Sequence, residues 1–272
     1  MSQAANDPVL WRVDARGVAY VTLNRPQVSN AYNGDLIEAL LAAYDALARE
    51  NLRAVVLTGK GKNFQAGADL NWIGAMRRSS PEENLRASRM TADAVQRLNL
   101  LPVPTIALVQ GACFGGGTGV IAACDIVIAA DNAVFSIAEV RVGLAGTVII
   151  PQLNDAIGLR QVRRYALTGE RFDAAEARRI GLVHEVVPLA ELDATGERIV
   201  GHLLANGPQA IAQTKMCAMR FAWGDLDDAA FTKLVDSHSA KRQTAEAAEG
   251  LSSFLEKRPA QWAPASTTKA KG

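Results

Sequence analysis

Apolar residues along the chain fall into short runs separated by small polar turns, and the runs alternate between strand-like and helical repeats. Val9–Val13 and Val18–Leu23 flank Asp14-Ala15-Arg16-Gly17 and predict a β-hairpin with its glycine in a left-handed conformation. Asn24-Arg25-Pro26 ends it. Leu36, Leu40, Ala43 and Leu47 then recur at helical spacing, with Asn33 placed to cap the helix. Residues 53–58 carry Val55, Val56 and Leu57 consecutively, the pattern of a strand covered on both faces. A break at Gly59-Lys60-Gly61-Lys62 leads to a small-residue loop over 64–70 and a further helix.

Pro81 opens a helix over 81–101, and Pro102 and Pro104 bracket a strand over 105–109. That strand meets Gly111, the run Gly115-Gly116-Gly117 and a small-residue helix ending at Cys124-Asp125. Two short strands, 126–129 and 134–137, surround the turn Ala130-Asp131-Asn132, and the carboxylate of Glu139 follows the second directly. From Ile149 the signals are mostly helical. Asp173 caps a helix over 174–180, residues 183–187 form a last strand, and 189–257 is helical with a break at Gly207-Pro208. Strand–helix alternation followed by helices alone predicts an α/β core over 1–188, a helical C-terminal region over 189–262 and a disordered tail over 263–272.

Length and composition narrow the function classes. The chain has 272 residues, 49% of them hydrophobic, and a net charge of +1 with the signs interspersed, so it can bury a large core but shows no footprint for nucleic acid. Three cysteines, Cys113, Cys124 and Cys217, are widely spaced and unpaired, which fits a reducing compartment. The histidines, His184, His202 and His238, lack metal-ligand spacing and read as structural or exposed. No apolar leader and no run of about 18 apolar residues is present, so the expectation is a cytoplasmic protein with no membrane partner, no metal and no separate cofactor.

The glycine stretch is the strongest candidate for chemistry. Gly111-x-x-x-x-Gly116 has phosphate-loop spacing and Thr118 would face a magnesium ion, but the required lysine position is Gly117. A dinucleotide fingerprint fails in register, because Val120 stands where a glycine is needed. Two readings remain open on these residues alone: close helix–sheet packing, and exposed backbone N–H groups holding an oxygen that becomes negative during reaction. The small-residue turn at 64–70 repeats the arrangement after another apolar strand.

Taken in order, Asn24-Arg25-Pro26 with Asn30-Ala31, Phe64-x-Ala66-Gly67-Ala68-Asp69-Leu70, the Gly111 to Gly117 stretch, Cys124-Asp125, Glu139-x-x-x-Gly143, Leu167-Thr168-Gly169, Ala174-x-x-Ala177-x-x-x-Gly181-Leu182-Val183 and Phe254-x-x-Lys257-Arg258 resemble the crotonase, or enoyl-CoA hydratase/isomerase, superfamily. The resemblance runs from Val9 to about Trp262. It implies a core of stacked ββα turns, a C-terminal helical region that builds a homotrimer or a dimer of trimers, and an acyl-CoA thioester substrate. Coenzyme A thus enters as part of the substrate. The resemblance also implies that the N–H groups of Ala68 and Gly116 bind the thioester oxygen, that Glu139 handles protons, that Val28, Ala31, Ala66, Asp69, Leu70 and Gly115 adjoin the substrate and its coenzyme A arm, and that Phe114 and Leu144 line the acyl pocket.

The sequence departs from the family pattern at two acidic positions. The first of the two hydratase glutamates falls on Gly119, and the aspartate of dienoyl-CoA isomerases and aroyl-CoA dehalogenases falls on Thr147. The wording of residues 68–72 and 139–144, with Thr118-Gly119 and Arg163-Arg164-Tyr165, is similar to a bacterial branch described as methylglutaconyl-CoA or related branched enoyl-CoA hydratases, which likewise carries glycine at the first position. The expected function is therefore hydration of a 2-enoyl-CoA through an enolate-like state. A Δ3,Δ2-enoyl-CoA isomerase using Glu139 alone is the alternative, and a non-catalytic acyl-CoA-binding or scaffold protein is the alternative of another class. Arg141 is a candidate partner for a carboxylate on the substrate, competing with an ordinary surface role.

Overall fold

Strands β1 (Val9–Val13) and β2 (Val18–Leu23) pair antiparallel as the hairpin pattern predicts, with Gly17 at φ 80° in the connection. The computed structural model describes residues 4–222, 228–258 and 260; Trp262 and the tail over 263–272 lie outside the described residues. Helix α1 (Gly34–Leu47) begins where Asn33 accepts a hydrogen bond from the N–H of Leu36. Strand β3 (Ala54–Gly59), helix α2 (Leu70–Arg78) and helix α3 (Pro81–Asn99) follow, the last opened by a reciprocal capping pair of Ser80 and Glu83.

Next come strands β4 (Thr105–Val109) and β5 (Ala112–Phe114), helix α4 (Gly116–Ala122), and strands β6 (Ile126–Ala130) and β7 (Val134–Ser136). Strand β5 is not legible in the sequence, because three residues between glycines carry no periodicity. Helix α5 (Ile150–Thr168) kinks at Gly158, and β8 (Phe172–Asp173), α6 (Ala174–Arg179) and β9 (Glu185–Val187) complete the strands. The last strand starts two residues later than its apolar pattern suggests. Val183 is still donating to the Ala177 carbonyl that closes α6.

A six-stranded sheet runs in the order β1-β2-β3-β4-β6-β9, parallel from β2 onward, and a three-stranded sheet runs β5-β7-β8. Successive turns feed both. Strands β3, β4 and β6 lie side by side in the large sheet, while Gln65, Cys113 and Phe135 pair in sequence at the small one. Each turn then gives a helix or helical loop, so the chain advances as stacked ββα turns.

The side chains of the central strands confirm why their apolar runs are continuous. Val55, Leu57, Ala107, Val109, Val127 and Ala129 enter the main core, whereas Val56, Ile106, Leu108 and Ile128 pack on the other face against Leu192 and Val200 of helix α7 (Leu192–Leu204). Helices α8 (Pro208–Ala222), α9 (Asp228–Arg242) and α10 (Ala245–Leu255) follow. Lys215 of α8 ties this region to the core through an ion pair with Asp125 at 2.8 Å, and Asn84 of α3 donates to the Ser239 carbonyl of α9 at 2.7 Å. Among the described residues no helix is long and apolar enough to cross a membrane.

Candidate active site

Two turns, one after β3 and one after β5, lie against each other. A Cβ on Gly67 would meet the Phe114 carbonyl oxygen at 3.0 Å, and a Cβ on Gly117 would meet the Gln65 carbonyl oxygen at 2.9 Å. Gly67 at φ 85° and Gly115 at φ 50° adopt conformations that L side chains rarely reach, so small residues are required for backbone shape as well as for clearance. Cross-links fix the pair: Tyr32 donates to the Gly67 carbonyl, Asp69 donates to the Tyr32 carbonyl, and Phe114 donates to the Gln65 carbonyl. Among the described residues the N–H groups of Ala68 and Gly116 have no acceptor, and both residues face one cavity of ≈ 760 Å³.

Asn24-Arg25-Pro26 and Asn30 shape this region rather than enter the cavity. The fully buried Asn30 side chain donates to the carbonyls of Lys60, Asn63 and Phe64 and accepts from the Arg25 N–H. Arg25 in turn reaches Asp69 at 3.3 Å. Asp69 lines the cavity, yet its carboxylate caps α2 through the Asn71 N–H and holds Arg25, so its side chain is already engaged.

Glu139 enters the same cavity from the short 3-10 turn Glu139–Val142. Helix α10 clamps that turn, since a Cβ on Gly250 would lie 2.2 Å from the Val142 carbonyl. The carboxyl group sits in a slot between glycines: a Cβ on Gly115 would be 3.1 Å from Oε1, and one on Gly146 would be 3.1 Å from Cδ. Its Oε2 is buried with no partner among the described residues, and burial pushes its pKa up to about 7, opposed by its own backbone N–H. An acid poised near neutrality therefore faces two unengaged backbone donors.

The space at Gly119 is filled by a residue from elsewhere. A Cβ there would lie 2.2 Å from Ile149 Cγ2 and 2.4 Å from its Cβ, so a side chain at that position requires Ile149 to move. Val28, Ala31, Ala66, Leu70, Phe114, Gly115 and Leu144 all line the cavity alongside Ala68, Gly116, Asp69 and Glu139. Val28, at 39% exposure, stands at its mouth, while Leu144 at 9% is part of its inner wall. Among the described residues no group of three or more His, Cys, Asp or Glu is arranged to hold a metal ion.

Several polar residues of the cavity wall escape sequence reasoning, Tyr32, Arg242 and His238 among them. Tyr32 packs over Gly116, whose Cβ would meet its Cε1 at 2.6 Å, and burial pushes its phenol up to about 12. Arg242, at the end of α9, and His238, one turn earlier, also face the cavity. Only the position of Tyr32 beside Asn30-Ala31 offered a signal; the helical pattern of α9 reads as packing. Arg141 also lines the cavity, on its exposed side, and reaches the Gly169 carbonyl at 3.4 Å. His184 is structural, accepting from the Val127 N–H, and burial pushes the thiols of Cys113 and Cys124 up, away from reactivity.

Comparison with known proteins gives one family. The sequence model of the enoyl-CoA hydratase/isomerase family matches residues 14–265. A putative enoyl-CoA hydratase of Thermus thermophilus is 32% identical over 249 residues, 91% of this chain and 98% of that protein. The short-chain-enoyl-CoA hydratase of Clostridium acetobutylicum is 34% identical over 245 residues, 89% and 92% of the respective chains. The crystal structure of an enoyl-CoA hydratase from Shewanella pealeana superimposes with a TM-score of 0.77 at 35% identity, covering 94% of this chain and 96% of the other.

Proposed function

The chain belongs to the enoyl-CoA hydratase/isomerase family, and from that premise we propose that it adds water across the double bond of a 2-enoyl-CoA thioester. The observation that carries this reading is the unpartnered Oε2 of Glu139 in one cavity with the unengaged N–H groups of Ala68 and Gly116.

The thioester oxygen accepts from Ala68 and Gly116 and gains negative charge as water attacks Cβ. Preorganised donors stabilise that charge, each worth about 2.7–4 kcal/mol in enzymes where one has been removed. Protonated Glu139 gives its proton to Cα, and the carboxylate so formed takes the proton released by the water. The acid is thereby regenerated and one molecule of water is added. With Ile149 occupying the volume at Gly119, both transfers fall to one carboxyl group. Ala66, Val28 and Ala31 flank the coenzyme A arm in this reading, and Phe114 and Leu144 contact the acyl chain. The same reading includes assembly as a trimer or dimer of trimers through the C-terminal helices, where Met216, Phe254 and Leu255 are exposed.

Relatives named as hydratases favour water addition over double-bond migration. The test is turnover of the protein and its Glu139→Gln variant in deuterated water, with a conjugated enoyl-CoA and its β,γ-isomer offered separately. Glu139-dependent gain of water by the conjugated substrate is the expected outcome. Migration of the double bond without gain of water would make the protein an isomerase, and tight binding without turnover of either would make it a carrier.

A further inference from the structure

Arg242 is 1% exposed, and among the described residues its Nε, Nη1 and Nη2 have no hydrogen-bond acceptor. Its guanidinium lies 5.2 Å from the ring centre of Trp72, which itself meets Tyr32 edge-on at 5.9 Å. An aromatic face orients a cation but does not replace an anion, and a guanidinium offers five donors in a planar fork that suits a carboxylate. Nδ1 of His238, one turn earlier on α9, is likewise buried and unpartnered. Two adjacent buried polar groups on one cavity wall thus lack partners.

The described carboxylates of that wall do not meet the need. Asp69 is held by Arg25 and the cap of α2, and Glu139 is shifted by its burial, opposed by its own backbone N–H, with no contribution from Arg242. The Tyr32 hydroxyl lies beside the Arg242 guanidinium and within electrostatic reach of Glu139. Of the other cations lining the cavity, Lys241 pairs with Glu246 and Arg258 with Glu249, while Arg141, on the Gly169 carbonyl, and Arg171, over the Phe114 ring, are exposed to solvent. One cavity therefore holds the backbone donors, Glu139, Tyr32 and a buried cation that has no counter-ion among the described residues.

We infer that Arg242, assisted by Tyr32 and His238, forms a subsite for a carboxylate carried on the acyl chain, so that the substrate is an enoyl-CoA with a second, acidic end. The inference rests on the hydratase reading for the direction in which the acyl chain runs. The free carboxylate supplies the counter-charge and most of the missing acceptors, and the acidic end fixes how far the chain enters. A methyl-terminated chain leaves the guanidinium unpaired and binds poorly.

The experiment compares kcat/KM for a short series of 2-enoyl-CoA thioesters ending in a carboxylate with the same chains ending in the carboxamide. The unmodified protein is expected to prefer the carboxylate by about 100-fold, the scale on which a buried charge loses its partner. Arg242→Met should erase that preference and Arg242→Lys should restore part of it. Equal use of both ends by the unmodified protein, or an equal fall on both ends in Arg242→Met, would overturn the subsite. If neither series is turned over, the hydratase reading fails, and calorimetry with saturated acyl-CoA thioesters bearing the same two ends decides the subsite on its own. Arg242-dependent preference for the carboxylate then upholds it, and equal binding overturns it.

Discussion

Gly119 of α4 and Ile149 before α5 occupy one volume: a Cβ on the glycine would lie 2.2 Å from Ile149 Cγ2 and 2.4 Å from its Cβ. The contact shows that the volume beside Gly119 is filled by a residue remote in the chain. It also joins the helix of the glycine stretch to the Gly146 segment, where a Cβ would meet both Glu139 Cδ at 3.1 Å and Ile149 Cδ1 at 3.3 Å.

A coupling in stability follows. Gly119→Ala alone should destabilise by about 1–3 kcal/mol through overpacking. In an Ile149→Ala background, which itself costs about 2–5 kcal/mol, the same change should cost less, because the Cγ2 at 2.2 Å is gone while alanine keeps the Cβ at 2.4 Å. Urea denaturation of the four proteins in the cycle measures the coupling, and additive effects would show that the two side chains do not compete for space.

The acid form of Glu139 is the active one in the proposed reaction, and its pKa is about 7. The value of kcat/KM for hydration is therefore expected to be level below pH 6 and to fall with rising pH through about 7. Glu139→Gln should lower kcat by roughly 100-fold or more and flatten what remains. An unchanged profile in the variant would assign the proton transfer to another group.

Stability should respond to the same carboxyl group in a defined window. The folded pKa of about 7 lies above the ordinary 4.5, so the folded protein holds the proton more tightly than the unfolded chain. Stability from this group is complete below the ordinary value, declines as pH rises toward about 7 and is level beyond. Glu139→Gln, which mimics the protonated group, should match the parent near pH 4.5 and exceed it at pH 8 by up to about 3 kcal/mol. Chemical denaturation at the two pH values reads the difference, and a constant offset would contradict the burial of the charge.

The backbone donor at Gly116 can be removed while its first-turn position is retained. Proline suits the opening residue of α4 and lacks the N–H, whereas alanine brings the same Cβ toward Tyr32 but keeps the donor. Gly116→Pro should therefore have a kcat about 100-fold below that of Gly116→Ala. Equal kcat values would mean that the loss is steric displacement of Tyr32.

Much of the cavity's lining was legible residue by residue. Continuous apolar strands foretold a sheet covered on both faces, and Asn33 and Asp173 marked helix starts. The paired small-residue turns pointed to backbone donors, and Glu139 stood where an apolar strand ends. Strand β5 was hidden because its pairing with β7, not its own composition, makes it a strand. Asp69 was legible as a residue of the cavity, but only its neighbours reveal that its carboxylate is engaged by Arg25 and α2.

What the sequence determines alone is local: which segments are strands or helices, where glycine is needed for backbone shape, and which residue types are available for proton transfer. Periodicity reports backbone conformation and the face a side chain takes, and both depend on neighbours a few positions away. The tertiary structure decides the rest. It brings Ile149 into the space at Gly119, closes α10 over the Glu139 turn, and sets Arg242 on the wall that also carries Tyr32, far away in the chain. Burial, clearance and electric field are sums over residues remote in sequence, so the pKa of Glu139 and the unpaired state of Arg242 exist only once the chain has folded.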